Sequence, residues 1–475
     1  MRTRTSLFVF AAMFAALAVL VAAPPEGAAV LFPAPQPKGD GFKGIWYFNQ
    51  PSEDEYKYKY SGGFATYPQQ QGPVAYYAEQ VDKTFFCFGG VAEDGGEELL
   101  HLVSYFDHAT GEVARPTVLL NKKTEDAHDN PVMTIDEDGF LWIFSNSHGT
   151  SRTSYIHRSA EPYSIEAFEP VLETNFSYGH AWRVPGQGFL FAHTKYMDGG
   201  RSLFWMTSPD GRAWGEPRPL ARFAKGHYQI TEQHGERIAT VFNYHPEPVG
   251  LNARTNLYYL ETTDLGATWH TVDGEEVTTP VADRNTPALA YDHEREGLLV
   301  YLKTVQFDRE GRPVIIYLTS KGYRAGPSSG PYTWRAARWT GEEWVTNPIT
   351  ESDHNYDFGS LYVEDDGTWR LIAPTDAGPQ PFGSGGEMVM WTSADAGASW
   401  SRSKTLTAGS PRNHTYARRP VNAHPDFYAL WADGDARKPS LSRLYFASRD
   451  GRVWRLPAEM TADMQKPTPV PTPKR

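Results

Sequence analysis

The chain has 475 residues, with 40% apolar and 14% aromatic content, 42 glycines and 36 prolines. That length allows two or three ordinary domains or one large repeat-built domain. A formal net charge of −12 argues against a nucleic-acid binder, and a single cysteine, Cys87, excludes an internal disulfide.

The N-terminal stretch "MRTRTSLFVFAAMFAALAVLVAAPPEG" has the layout of a secretory signal. Arg2 and Arg4 form the basic start, Leu7 to Leu20 the apolar stretch, and Val21-Ala22-Ala23 a cleavage site. Residues 1–23 are therefore expected to direct export to the periplasm or medium, or to act as a membrane anchor if uncleaved. No other segment is long enough to span a bilayer. Residues 24–64 read as a lead-in, with "GFKGIWYF" (Gly41 to Phe48) as a strand or plug. Residues 65–458 form the main domain. Residues 459–475, ending in "KPTPVPTPKR", read as a disordered Pro-rich tail.

Within the main domain almost no segment shows a 3.6-residue apolar period. Short aromatic and β-branched runs ("TFFCFGG", "LWIFSNS", "RIATVFNY", "LLVYLKT", "FYALWAD") alternate with Gly, Asp and Pro, which is an all-β pattern. The chain also repeats itself. "TTDLGATW" (Thr262 to Trp269) and "TSADAGASW" (Thr392 to Trp400) share Ser/Thr-x-Asp-x-Gly-x-x-Trp. "SPDGRAW" (Ser208 to Trp214) and "SRDGRVW" (Ser448 to Trp454) are one residue shorter. Such a turn uses Asp to accept backbone N–H groups, Gly for positive φ and Trp to pack on the sheet. The motif resembles the Asp-box, or bacterial neuraminidase repeat, of propeller blades. The expected fold is thus a seven-bladed β-propeller, with six blades as the alternative. Its innermost strands are expected near Pro73, Pro131, Ala181, Tyr228, Thr286, Phe358 and Ala417.

In a propeller the first strand of a blade descends the central channel and the second returns beside it. His128 and His148 flank such a pair in "DAHDNPVMTIDEDGFLWIFSNSHG", so both should meet at one rim. Other blades repeat the placement: Tyr178 and His180, His193 and Lys195, His227 and Tyr228, Tyr244 and His245, His354 and Tyr356, His414 and Tyr416. Each of these also has a structural reading, as a seal between blades, and Arg254 one as an inter-blade ion pair. A rim of His, Tyr and a cation suits β-elimination of a uronate polysaccharide. A cation neutralises the carboxylate beside the acidic C5 proton, His or Tyr removes that proton, and a partner protonates O4. The chemistry requires no metal, and the sequence leaves a structural calcium open.

The blade carrying the histidine pair is similar to that of seven-bladed ulvan lyases and the wider neuraminidase-repeat family. The resemblance implies a catalytic set of the His pair, a Tyr and an Arg. In "SYGHAWRVPGQGFLFAHTK" these positions fall on Tyr178 and Lys195, with Arg201 as the nearby substitute for the Arg. A longer stretch, "KYSGGFATYPQQQGPVAYYAEQVDKTFFCFGG", resembles a propeller family acting on rhamnosyl-glucuronic acid, some members by hydrolysis as α-L-rhamnosidases. Gln71 stands where those hydrolases are aligned to carry a catalytic His. The expectation is therefore an acidic-polysaccharide lyase with His128, His148, Tyr178 and Lys195 as catalytic residues. Asn130, His180, His193, Arg201, His227, Tyr244, Arg254 and Tyr356 are expected to bind substrate. The alternatives are a rhamnosidase-like hydrolase and a non-catalytic glycan-binding propeller.

Overall fold

The computed structural model describes residues 34–197 and 200–471. The signal segment 1–23 lies outside the described residues. Seven antiparallel sheets follow one another along the chain. Their innermost strands are Ala75–Ala78, Pro131–Ile135, Ser177–Val184, Gln229–His234, Leu299–Phe307, Ser360–Val363 and Asn413–Arg418, numbered here as blades 1 to 7. Among the described residues helix is limited to five short 3-10 turns.

The strands read as nearly continuous apolar runs because both faces of each blade are covered. Arg237–Tyr244, the second strand of blade 4, is buried at every position after the first. The core is accordingly a set of layers between blades. One joins blades 1, 2 and 3 through Phe85, Val132, Phe144 and Phe191. Others join blades 3 and 4, 4 and 5, 6 and 7, and 7 and 1, where Phe86, Phe106, Phe427 and Phe446 meet. Burying such aromatic surface contributes about 1.5–3 kcal/mol per large side chain.

All four Asp-boxes link the third and fourth strands of a blade. Asp264 accepts from the Thr268 N–H (3.0 Å) and hydroxyl (2.7 Å) and from the Thr262 hydroxyl (2.7 Å). Asp395 does the same with Ser399 and Ser393. Gly266, at φ 79°, lies against Trp205 of the preceding blade, where a Cβ would come within 2.3 Å of the indole nitrogen.

The lead-in forms a hairpin, Trp46–Pro51 with Tyr58–Gly63, that sits on the mouth of the ring. The loop after it enters the channel. Thr66 donates to the Tyr416 carbonyl (2.8 Å) and Arg418 donates back to Thr66 O (2.8 Å). The segment is thus a plug.

Two boundaries differ from the sequence reading. The fifth innermost strand is Leu299–Phe307, not a strand near Thr286; Thr286 leads into Leu289–Tyr291, the outermost strand of blade 4. The long turn after the Asp-box delays that strand, so a fourth strand resembles a first. The tail is also not disordered through residue 471. Met464–Gln465 pairs with the outer strand of blade 1, and Thr468–Val470 pairs with Val453–Arg455 of blade 7. Pro469 is tolerated because this is an edge strand, where no N–H is needed on the outer side. The segment straddles the junction at which the ring closes.

Candidate active site

His128 lies in a single 3-10 turn, Ala127–Asp129, at the head of blade 2's innermost strand. The Asp126 side chain caps that turn by accepting the His128 N–H (3.1 Å). Pro131 pairs with Ser145, so the chain end carrying His148 returns beside His128. The two imidazoles stack, with centroids 4.1 Å apart and planes 20° apart. Asp126 bridges them: Oδ1 is 2.5 Å from His128 Nδ1, and Oδ2 is 2.7 Å from His148 Nδ1.

A carboxylate only accepts, so each Nδ1 carries a proton, and in the neutral ring each Nε2 keeps its lone pair. The two lone pairs then differ in surroundings. His128 Nε2 takes hydroxyls from Tyr67 (2.8 Å) and Tyr60 (3.1 Å) and is buried. His148 Nε2 has no partner among the described residues, and its ring is 30% exposed. Burial, then the neighbouring His148, pushes His128 down to about 4, so it is neutral near pH 7. Burial works against the Asp126 carboxylate, but the two imidazoles hold it well below the usual range. Arg152 fixes the assembly from behind. It clasps Asp129 (2.7 and 2.8 Å) and reaches Asp126 (3.1 Å), while Asp129 also accepts the His148 N–H (2.6 Å).

Facing the pair is an arc of phenols and cations. Tyr178 sits in a bulge of blade 3's innermost strand at φ 51°, an uncommon conformation for a bulky residue. Its ring lies 6.0 Å from His128 and 6.3 Å from His148, and its buried hydroxyl has no hydrogen-bond partner among the described residues. Burial raises that phenol well above its ordinary value, so it is protonated. Arg201 donates to the Tyr228 hydroxyl (2.7 Å) and lies over the rings of Tyr228 and Tyr196. Arg254 donates to the Tyr356 hydroxyl (2.9 Å). Tyr356 stacks on Tyr60 at 3.8 Å, which closes the arc back to His128. Lys59, from the plug, donates to Asn252 (2.6 Å) and is pushed down to about 7 by burial and then by Arg254. None of these three cations forms an ion pair with a carboxylate among the described residues; they are surrounded by neutral phenols and by one another.

The structure thus brings together His128, His148, Tyr178, Arg201, Arg254 and Tyr356. It does not bring in the remaining expected residues. Strict alternation along Gly188–Met197 puts Tyr196 on the His148 side and Lys195 on the other, with His193. Arg201, cross-strand from Tyr196, is the cation at the site instead. His193 is stacked between Phe191 and Phe204. His180 lies deeper in the channel, with Gln69, Gln71 and Arg418. Both His227 nitrogens serve backbone groups of Asn243 and Phe223. The Tyr244 hydroxyl donates to Glu294 (2.5 Å) away from the mouth, and its neighbour His245 faces the Tyr228 ring instead, at 5.1 Å. Asn130 donates to the carbonyls of Phe64, Ala65 and Tyr67, and so anchors the plug.

The residues that sequence reasoning missed are Asp126, Arg152, Tyr196 and the plug residues Lys59, Tyr60 and Tyr67. Asp126, two positions before His128, was the legible one. Asp126, His128 and His148 each offer a metal-ligand atom within 4.8 Å of the others. Both Nδ1 protons already point at the carboxylate, however, so the geometry on hand is that of a hydrogen-bonded trio.

The sequence model of a family described as "BNR repeat-containing family member" matches residues 107–352. An ulvan lyase of Alteromonas sp. (strain LOR) is 24% identical over 434 residues, covering 81% of this chain and 84% of that protein. "Ulvan Lyase-PL25" of Pseudoalteromonas sp. (strain PLSV) is 23% identical, covering 77% and 81%. Among solved structures, a PL25 ulvan lyase superposes with a TM-score of 0.68 at 18% identity, covering 87% of this chain and 96% of that one. The same lyase is also solved bound to -[GlcA(1-4)Rha3S]-. The polysaccharide lyase Uly1 superposes at 0.60 with 9% identity, covering 86% and 98%. The family match takes in more than half of the sequence and includes the histidine pair, and on that ground the chain belongs to the BNR repeat-containing family.

Proposed function

We propose that this protein is a polysaccharide lyase that cleaves uronic-acid-containing polysaccharide by β-elimination, with ulvan-type polymers as the first substrates to test. The observation that carries the reading is the accessible Nε2 lone pair of His148, oriented by Asp126 opposite an arc of cations without carboxylate partners. The likeness to ulvan lyases supports the same substrate class.

In this reading Arg201, aided by Arg254 and Lys59, takes the uronate carboxylate and stabilises the enolate-like charge that develops on it. His148 Nε2 removes the C5 proton. The electron pair of that C–H bond forms the C4–C5 double bond, and the C4–O4 bond breaks. Tyr178, protonated because it is buried, supplies the proton to O4. His128 acts as a positioning residue, since its Nε2 is already taken by two hydroxyls. Gln71 donates its amide to the His128 carbonyl (2.5 Å) and offers no exchangeable acid, which weighs against the hydrolase reading.

The test is incubation of the purified protein with a panel of uronate polysaccharides, following both the ultraviolet absorbance of unsaturated uronate and new reducing ends. A rise in both is expected. New reducing ends without unsaturated product would replace the lyase with a hydrolase, and neither signal would leave a binding protein.

A further inference from the structure

On the face opposite the mouth, at the junction of blades 7 and 1, lies a second cluster of ligand-type side chains. Asp82 occupies the turn between the first two strands of blade 1, in a left-handed conformation (φ 50°, ψ 47°). Its carbonyl accepts the N–H of His108, just past the third strand (3.1 Å). His424 comes from the turn after the innermost strand of blade 7. Nearly the whole propeller separates it from the other two in sequence, yet one ligand atom from each residue lies within 4.8 Å of the others.

Each member has a supporting partner. Thr84 Oγ1 is 2.9 Å from His108 Nε2, the Tyr77 hydroxyl donates to Asp82 Oδ1 (3.1 Å), and the Asp426 N–H reaches His424 Nδ1 (3.1 Å). One atom remains unaccounted for: His108 Nδ1 is buried and has no hydrogen-bond partner among the described residues. A cluster held only by hydrogen bonds would leave that nitrogen bare, at a cost of about 1–3 kcal/mol. With Thr84 Oγ1 accepting from Nε2–H, Nδ1 keeps a lone pair on a ring that stands beside a carboxylate and a second imidazole, the kind of outer support that metal-ligating histidines have.

The geometry points to a zinc-class metal site, with His108, His424 and Asp82 as ligands, that clamps blade 7 to blade 1. Two imidazoles and a carboxylate suit Zn²⁺ and its neighbours better than hard cations such as calcium or magnesium. Bonds of about 2.0–2.2 Å require the ligand atoms to draw in to roughly 3.3 Å of one another. Asp82 and His424 are partly buried turn residues, which leaves their side chains room to rotate. Ligation through His424 Nε2 would move that ring's proton to Nδ1 and release the Asp426 contact. A metal bound to the closed ring but not to the unfolded chain stabilises the ring by mass action.

The experiment uses the full-length protein, treated with chelator, dialysed and titrated with ZnCl₂. Bound zinc is counted after gel filtration, and Tm is recorded at each step. The Asp126–His128–His148 trio also gathers three ligand-type atoms, so the comparison is between variants. Wild type is expected to bind zinc with a saturable rise in Tm. His424→Ala and Asp82→Asn should each lose one equivalent and the Tm response, with binding at this site at least tenfold weaker, whereas His148→Ala should keep both. Asp82→Asn preserves side-chain shape, so the test stands even if His424→Ala folds poorly. Wild type binding no zinc, both seam variants keeping its stoichiometry, or the Tm response vanishing only in His148→Ala would each overturn the site. None of these outcomes depends on the lyase reading.

Discussion

Asp126 sets the tautomer of two imidazoles at once, and their unequal surroundings then divide the work between them. His128 spends its lone pair on Tyr67 and Tyr60, whereas His148 keeps its own for a substrate. Removing a general base typically costs 10²–10⁴ in rate. His148→Ala should therefore lower kcat on a cleaved uronate polymer by about 10²–10⁴-fold with KM little changed, because the cationic arc still binds the carboxylate. Tyr178→Phe should fall by a similar factor if that phenol protonates O4. The check is the initial rate of unsaturated product for each variant. A His148→Ala enzyme at full rate would transfer the base role to Tyr178 and undo the assignment.

At the scale of elements, the plug supplies part of the site's wall. The hairpin Trp46–Pro51 with Tyr58–Gly63 and the loop after it deliver Lys59, Tyr60 and Tyr67, and Asn130 ties that loop to blade 2. Replacing Tyr60 and Tyr67 together by Phe leaves the buried His128 Nε2 unsatisfied. The double variant should lose about 1–3 kcal/mol of stability in urea titrations, and turnover should fall as well, through misplacement of Asp126. The blades and the histidine pair were readable in the sequence because strand length and Asp-box spacing are local signals. The plug's role was not, since Tyr60 and His128 meet only after the ring closes. Lys195 was misassigned for a related reason. The bulge at Tyr178 and strict pairing further on decide which side chain of the next strand turns inward, and neither shows in a one-dimensional spacing. Among the rim histidines, His227, His354 and His414 went to backbone and side-chain hydrogen bonds that hold turns and neighbouring strands together, a use indistinguishable by residue type from catalysis.

For the molecule as a whole, that use of histidine has a consequence for acid stability. Burial pushes His128 and His227 down to about 4 and His180, His193 and His354 to about 3, and places His101 and His245 well below their ordinary value. In the unfolded chain these groups titrate near ~6.5. Between those values the unfolded state binds protons that the folded state refuses, so the stability they contribute is present above about pH 6.5 and is lost as pH falls toward about 4. Asp353, raised to about 6 by burial, and the raised Asp357 act in the opposite direction over the same window, but they are two groups against seven. The urea midpoint should therefore fall steadily from pH 7 to pH 4. A flat or rising midpoint would contradict the account. His193 offers the sharper check, because its ring is stacked between Phe191 and Phe204 and its one polar contact, to the Phe191 carbonyl, is long at 3.3 Å. His193→Phe keeps the stack and removes the titration. The variant should fold and show an acid slope shallower by about one proton's worth, roughly 1.4 kcal/mol per pH unit, whereas an unchanged slope would mean that His193 takes up no extra proton on unfolding.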